Sequence, residues 1–275
     1  MDQSFLFQSI ALLSLGVGSG FLAGLLGIGG GMVLVPALTL LLVRGGVEAG
    51  LAVKMAIATS MAAILFTSIA SVRAHHRKRA VRWDIVKSLA PGIVAGSVVS
   101  SVGVFALLKG NWLAIVFGVF VTFSAIQMFL DKQPRSTRQM PGTAGRLAAG
   151  GAIGFLSGLV GAGGGFISVP FMAWCNVAIH SAVATSAALG FPIALANIGG
   201  YVVTGMRVEG LPAHAFGFVW LPGLVLVAIG SVLTAPLGAR AAHALPVKPL
   251  KRAFAMMLFL VAAYMFYTGG RSLLA

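Results

Sequence analysis

Ten apolar segments follow one another along this chain, at 5–27, 31–43, 51–72, 85–108, 112–130, 147–162, 165–179, 181–203, 213–238 and 251–269. A bilayer crossing takes about 20 apolar residues, and a spanning segment must satisfy its own backbone hydrogen bonds, as a helix does. Apolar residues make up 59% of the chain, against 19 basic and five acidic ones. A soluble enzyme with one core is excluded, and so is a disulfide-stapled domain, since Cys175 is the single cysteine. The basic residues punctuate hydrophobic segments instead of forming a soluble face, which argues against nucleic acid. The sequence predicts an all-α polytopic membrane protein. The start, MDQSFLFQ, lacks the basic region of a signal peptide, so the first segment is expected to stay.

The basic residues set the orientation. Arg73, Arg77, Lys78, Arg79, Arg82 and Lys87 surround one loop, while Lys132, Arg135, Arg138 and Arg146 lie in a central polar stretch. Arg240, Lys248, Lys251 and Arg252 mark a third region. Positive charge favours the cytoplasmic side, so all three are expected there. The chain must then cross an even number of times between the central stretch and Arg240. The stretch 147–179 therefore contributes two crossings or a re-entrant hairpin. Both leave five segments per half and put both termini outside.

A duplication runs through these segments. GFLAGLLGIGGGMVLVPAL at 20–38 matches GFLSGLVGAGGGFISVPFM at 154–172 in 11 of 19 positions. Gly16, Gly20 and Gly24 match Gly150, Gly154 and Gly158; AIATS at 56–60 matches AVATS at 182–186; and Gly96-Ser97 matches Gly230-Ser231. The basic loop 73–82 corresponds to 204–212, which holds only Arg207 and Glu209, and the turn at Lys109 corresponds to the basic 240–252. Positive charge swaps place between the halves, as expected of units inserted in opposite orientations. The expected organisation is a first repeat over 1–131, a cytoplasmic linker over 132–146 and an inverted second repeat over 147–275.

Each repeat carries a glycine-rich helix break, Gly27, Gly29, Gly30 and Gly31 in the first and Gly161, Gly163, Gly164 and Gly165 in the second. Each glycine in a helix interior costs about 1 kcal/mol against alanine, so the helix should stop there. One reading is a tight turn between packed helices. The other is a broken helix whose free N–H groups and positive dipole end face an anion. Symmetric placement favours the second. No strand precedes either run, which excludes a dinucleotide fingerprint.

All five acidic residues, Asp2, Glu48, Asp84, Asp131 and Glu209, fall at segment ends or in loops. No carboxylate is left inside a segment as a cation or proton relay, which disfavours cation transport and carboxylate catalysis. The interior polar candidates are Lys54, Thr59, Ser60, Ser71, Gln127, His180, Thr185, Ser186 and Asn197. Lys54 and His180 each lie five residues before a threonine of the ATS motifs, so both are candidate anion contacts. Snorkelling is the plain alternative for the lysine, and helix-to-helix bonding for the hydroxyl pairs. His75 and His76 read as solvated, His214 and His243 as interfacial, and Trp83, Trp112, Trp220 and Tyr267 as headgroup anchors. No spacing suggests a metal site, and no cofactor is expected.

The twin glycine motifs, each followed by a hydrophobic run and Val-Pro, together with the ATS motifs and the basic linker, resemble the TauE/SafE family of integral membrane proteins. The resemblance covers nearly the whole chain. It implies a transporter, usually an exporter, of small sulfur-containing anions such as sulfite and sulfonates, with the eight break glycines as site residues. Combined with the residues, it gives an alternating-access anion transporter in a bacterial inner membrane. A passive anion channel is the alternative, and an intramembrane enzyme lacks any nucleophile–base pair. The expected partners are a small anion and the bilayer, without nucleic acid; a homo-oligomer is compatible with the sequence.

Overall fold

The computed structural model describes residues 3–27, 29–130, 139–242, 244 and 247–274, with the side chains of 3–5, 247–251 and 272–274 excepted. Asp2, Asp131, His243 and the linker positions Lys132, Arg135 and Arg138 lie outside the described residues, as do the side chains of Lys248 and Lys251.

Among the described residues, ten helices account for the ten segments. They are α1 (Gln3–Leu26), α2 (Gly31–Arg44), α3 (Ala49–Arg77), α4 (Trp83–Leu107), α5 (Gly110–Leu130), α6 (Thr143–Val160), α7 (Gly165–Trp174), α8 (Ile179–Gly205), α9 (Leu221–Ala241) and α10 (Val247–Leu274). Eight are long and apolar enough to cross a membrane; α2 and α7 are shorter. At 1.5 Å per residue, α2 reaches about 21 Å and α7 about 15 Å, short of a hydrocarbon core of about 30 Å. The protein is an all-α polytopic membrane protein.

Local chemistry explains the boundaries. Gly27 and Gly161 adopt positive φ where α1 and α6 end, and Gly30 and Gly164 do so where α2 and α7 begin. A left-handed residue cannot continue a helix, and glycine takes that conformation without steric penalty. Glu48 starts α3 by accepting hydrogen bonds from the backbone N–H groups of Gly50 and Leu51, both at 2.8 Å. Segment 213–238 becomes helical only at Leu221, because Ala215–Phe216 and Val219–Trp220 form a small antiparallel hairpin. That hairpin places Trp220 in the interior, contrary to its expected place among the headgroups.

Helices α3 and α8 form the middle of the bundle, 78% and 61% buried over their most apolar window against at most 44% for the other spans. Two pairs of the flanking helices pack by glycine contact. Gly16, Gly20 and Gly24 of α1 abut Val227, Ser231 and Ala235 of α9, so those two helices run parallel. Gly150, Gly154 and Gly158 of α6 abut Leu89, Ile93 and Ser100 of α4 in the same way. Helix α3 meets α9 at Thr59–Trp220 and Thr67–Ser231, and α8 meets α4 at Thr185–Arg82 and Gly200–Ser101. Thus α1, α3 and α9 run one way. After the turn at 78–82 reverses the chain, α4, α6 and α8 run the other. Every helix of the first trio is opposed by its sequence counterpart in the second.

Candidate functional site

The two glycine breaks meet each other near the middle of α3 and α8. A Cβ on Gly29 would lie 2.8 Å from the Gly163 Cα, and one on Gly31 would lie 2.2 Å from the Gly161 carbonyl oxygen. Backbone approach this close excludes any side chain, so these glycines serve packing as well as turning.

The ATS motifs hold this centre together from opposite sides. The Ser60 hydroxyl donates to the Gly161 carbonyl at 3.1 Å, and the Ser186 hydroxyl donates to the Gly27 carbonyl at 2.9 Å. Each serine thereby satisfies a buried carbonyl at the other half's break, where the helix offers no partner. The adjacent threonines act at helix starts. Thr59 accepts from the Trp220 N–H at 2.9 Å, ahead of α9, and Thr185 accepts from the Arg82 N–H at 3.0 Å, ahead of α4. All four residues are buried. In this structure their hydroxyls are engaged in clamping one half to the other.

Beside the meeting point is a cleft of about 240 Å³, counting the open space at its mouth, lined by Gly27, Gly29, Gly163 and Gly190 with Thr67, Ser68, Ser71 and Ser186. Ala23, Ile64 and Ala187 complete it. Thr67 donates to the Ala63 carbonyl at 2.9 Å and lies 2.6 Å from the Ser231 hydroxyl, and Ser68 donates to the Leu65 carbonyl. The buried Ser71 hydroxyl has no hydrogen-bond partner among the described residues. The walls present mostly apolar surface, from glycine, alanine and isoleucine, dotted with a few hydroxyls, and carry neither carboxylate nor cation.

Of the residues singled out by sequence, Gly27, Gly29, Ser71, Gly163 and Ser186 line the cleft, whereas Gly30, Gly31, Thr59, Ser60, Gln127, Gly161, Gly164, Gly165 and Thr185 do not. Lys54 is elsewhere: its ammonium lies 3.3 Å from the Ala106 carbonyl and about equally far from the Phe105 and Phe218 rings, at 5.6 and 5.5 Å. His180 sits on the exposed first turn of α8. Asn197 is fully buried against Gly158, away from the cleft.

His75 departs from the solvated reading: it is 1% exposed, with Nε2 3.1 Å from the Gly24 carbonyl of α1. Its counterpart Tyr201, at the same 126-residue offset as the ATS motifs, donates to the Gly158 carbonyl of α6. Sequence reasoning also missed Thr67 and Ser68. The signal was present, because Ser60, Ile64, Thr67, Ser68, Ser71 and His75 recur every three or four residues along one face of α3. Among the described residues no three His, Cys, Asp or Glu side chains gather in a way that would hold a metal.

Comparison with known proteins decides the family. The family model described as "Sulfite exporter TauE/SafE" matches residues 12–265. The chain belongs to the TauE/SafE family. A "Probable membrane transporter protein" of Haemophilus influenzae is 34% identical over 263 residues, covering 95% of this chain and 99% of that one. A protein of the same description from Methanocaldococcus jannaschii is 30% identical, over 94% of this chain and 97% of its own. A Bacillus subtilis relative, again named a probable membrane transporter, is 26% identical over 94% of this chain and 98% of its own. No solved structure matches. Family and relatives together make this an integral membrane transporter.

Proposed function

We propose that this TauE/SafE member exports a small sulfur-containing or organic anion, such as sulfite or a sulfonate, by alternating access between two inverted repeats in a bacterial inner membrane. The repeats are taken as 1–131 and 147–275, joined by a cytoplasmic linker, with both termini outside. One observation carries the proposal: two glycine breaks meet back to back, each clamped by a serine of the other half, beside a mostly apolar cleft that holds a few hydroxyls and no carboxylate. The opposed helix trios support the inverted arrangement, which places a substrate site between repeats. The family description supports the substrate class.

Magnitudes fit a carrier. A hydrogen bond to a charged group contributes about 1.5–3 kcal/mol, while desolvating an ion costs several kcal/mol. Only the Ser71 hydroxyl proton is uncommitted, since Thr67 and Ser68 donate to carbonyls of their own helix, so these hydroxyls offset only part of that cost. Binding should be weak and release easy. Uptake of labelled sulfite and sulfoacetate into proteoliposomes tests the proposal. Saturation in the millimolar range is expected, and no saturable movement of any small anion would overturn it.

A further inference from the structure

The cleft has an unopened counterpart. On α4, α6 and α8, three polar atoms without a hydrogen-bond partner among the described residues gather on the glycine face of α6: Ser97 Oγ, Ser100 Oγ and Asn197 Oδ1. All three residues are fully buried. A Cβ on Gly158 would lie 2.2 Å from Asn197 Oδ1 and 2.6 Å from Ser100 Oγ, and one on Gly154 would lie 2.9 Å from Ser97 Oγ. Buried polar atoms are nearly always paired, so three unpaired ones at one spot call for a reason.

The repeat supplies it. Asn197 corresponds to Ser71 of the cleft by the 126-residue offset, and Ser97 corresponds to Ser231, which bonds the cleft's Thr67. Helix α4 is also distorted here, with a π-helical turn over Val99–Val104 that α9 lacks. Such turns concentrate at functional sites. Tyr201, one turn beyond Asn197, donates to the carbonyl of the same Gly158, Phe105 packs on its ring with centroids 4.4 Å apart, and Phe218 of the hairpin meets Phe105 edge-on at 5.7 Å. At the cleft, Ala239 and His75 occupy the positions that correspond to Phe105 and Tyr201.

We propose that Ser97, Ser100 and Asn197 form a second anion half-site, closed beside Phe105, Tyr201 and Phe218, which serves the membrane face opposite the cleft. This rests on the transport reading above. Ser97 and Ser100, whose hydroxyls have no partner among the described residues, donate to anion oxygens, the role that Ser71 has in the cleft. Asn197 already donates one amide hydrogen to the Ile193 carbonyl. Its second amide hydrogen and its Oδ1 suit an oxyanion that retains one O–H group. Ser71 lies toward the basic turn at 78–82, whereas Ser100 lies toward the other end of α4, so the two half-sites sit at opposite depths.

Single cysteines test this in a Cys175→Ser background whose sulfite flux is first matched to the parent. A charged, membrane-impermeant thiol reagent is applied to each face of oriented vesicles. Ser71→Cys should react from the basic-turn face, and Ser100→Cys only from the opposite face; sulfite should slow Ser100→Cys several-fold more than it slows a free soluble thiol in the same mixture, which reports the reagent that sulfite itself consumes. Ser100→Cys that is inert from both faces, or reactive from the same face as Ser71→Cys, in a protein that still carries flux, overturns the half-site while leaving transport intact. Absence of saturable flux in the parent would instead remove the transport reading. Ser100→Ala gives the second readout. KM should rise several-fold for anion supplied at the face opposite the basic turn, with an unchanged melting temperature. An equal KM change at both faces with a lowered melting temperature marks a structural serine and also overturns the proposal.

Discussion

The centre of the molecule and its two ends follow different rules. At the centre, the halves are near copies: Ser60 and Ser186 bond the opposite break, and Thr59 and Thr185 cap the opposite half's helix. Toward the ends they diverge. His75 stands where Tyr201 does, Ser71 where Asn197 does, and the short turn at 78–82 faces a longer connection over 206–220 that carries the hairpin. Contacts needed in every state of a carrier have reason to be duplicated. Contacts that favour one open face over the other have reason to differ. This division gives the likeness of the repeats a physical meaning.

The harshest way to break the centre is to add a methyl group there. Gly31→Ala would drive a Cβ to 2.2 Å from the Gly161 carbonyl, and Gly29→Ala adds a positive φ of 76° to a 2.8 Å clash with Gly163. Both should abolish flux and cost about 3 kcal/mol or more in stability, within the range of overpacking and backbone strain. Gly18→Ala, where nothing lies within 4 Å, should leave flux intact and raise the melting temperature slightly. Melting in detergent alongside flux separates the two effects.

Next in size are the serines. Ser60→Ala and Ser186→Ala each strand a break carbonyl, at a cost of about 1–3 kcal/mol. Ser186 should cost more, because it also accepts from Ser168 at 2.8 Å, and the position equivalent to Ser168 is Leu34. Equal losses from the two serines would mean that the Ser168 bond contributes nothing measurable.

The threonines come last. Thr59→Val and Thr185→Val each remove the acceptor for one helix-start N–H, worth about 1 kcal/mol by analogy with capping losses. The two should match within error, since their bonds are 2.9 and 3.0 Å. Parallel melting curves check this. A large inequality would show that the hairpin ahead of α9 carries the load that Thr59 is assigned.

Much of this was legible in the sequence, for definable reasons. Hydrophobic length marked all ten helices, and identity between the halves marked both breaks. The ATS hydroxyls were visible as a duplicated pair, but their partners, Gly161, Gly27, Trp220 and Arg82, lie more than 100 positions away, beyond the reach of periodicity. His75 was misread because it opens the basic run His75–Arg79, although it stands on the same face of α3 as Ser71. Lys54 and His180 looked like a pair from spacing alone. A half-buried lysine against two aromatic rings and an exposed first-turn histidine are not equivalent sites.

The central claim is alternation between two faces, and counterflow tests it most directly. Proteoliposomes are loaded with unlabelled sulfite and diluted into a trace of labelled sulfite. An alternating-access carrier predicts transient accumulation of label above its equilibrium level, lost in Gly31→Ala. Label that only equilibrates, at a rate indifferent to the internal sulfite, would contradict alternation and make the paired breaks the walls of a channel.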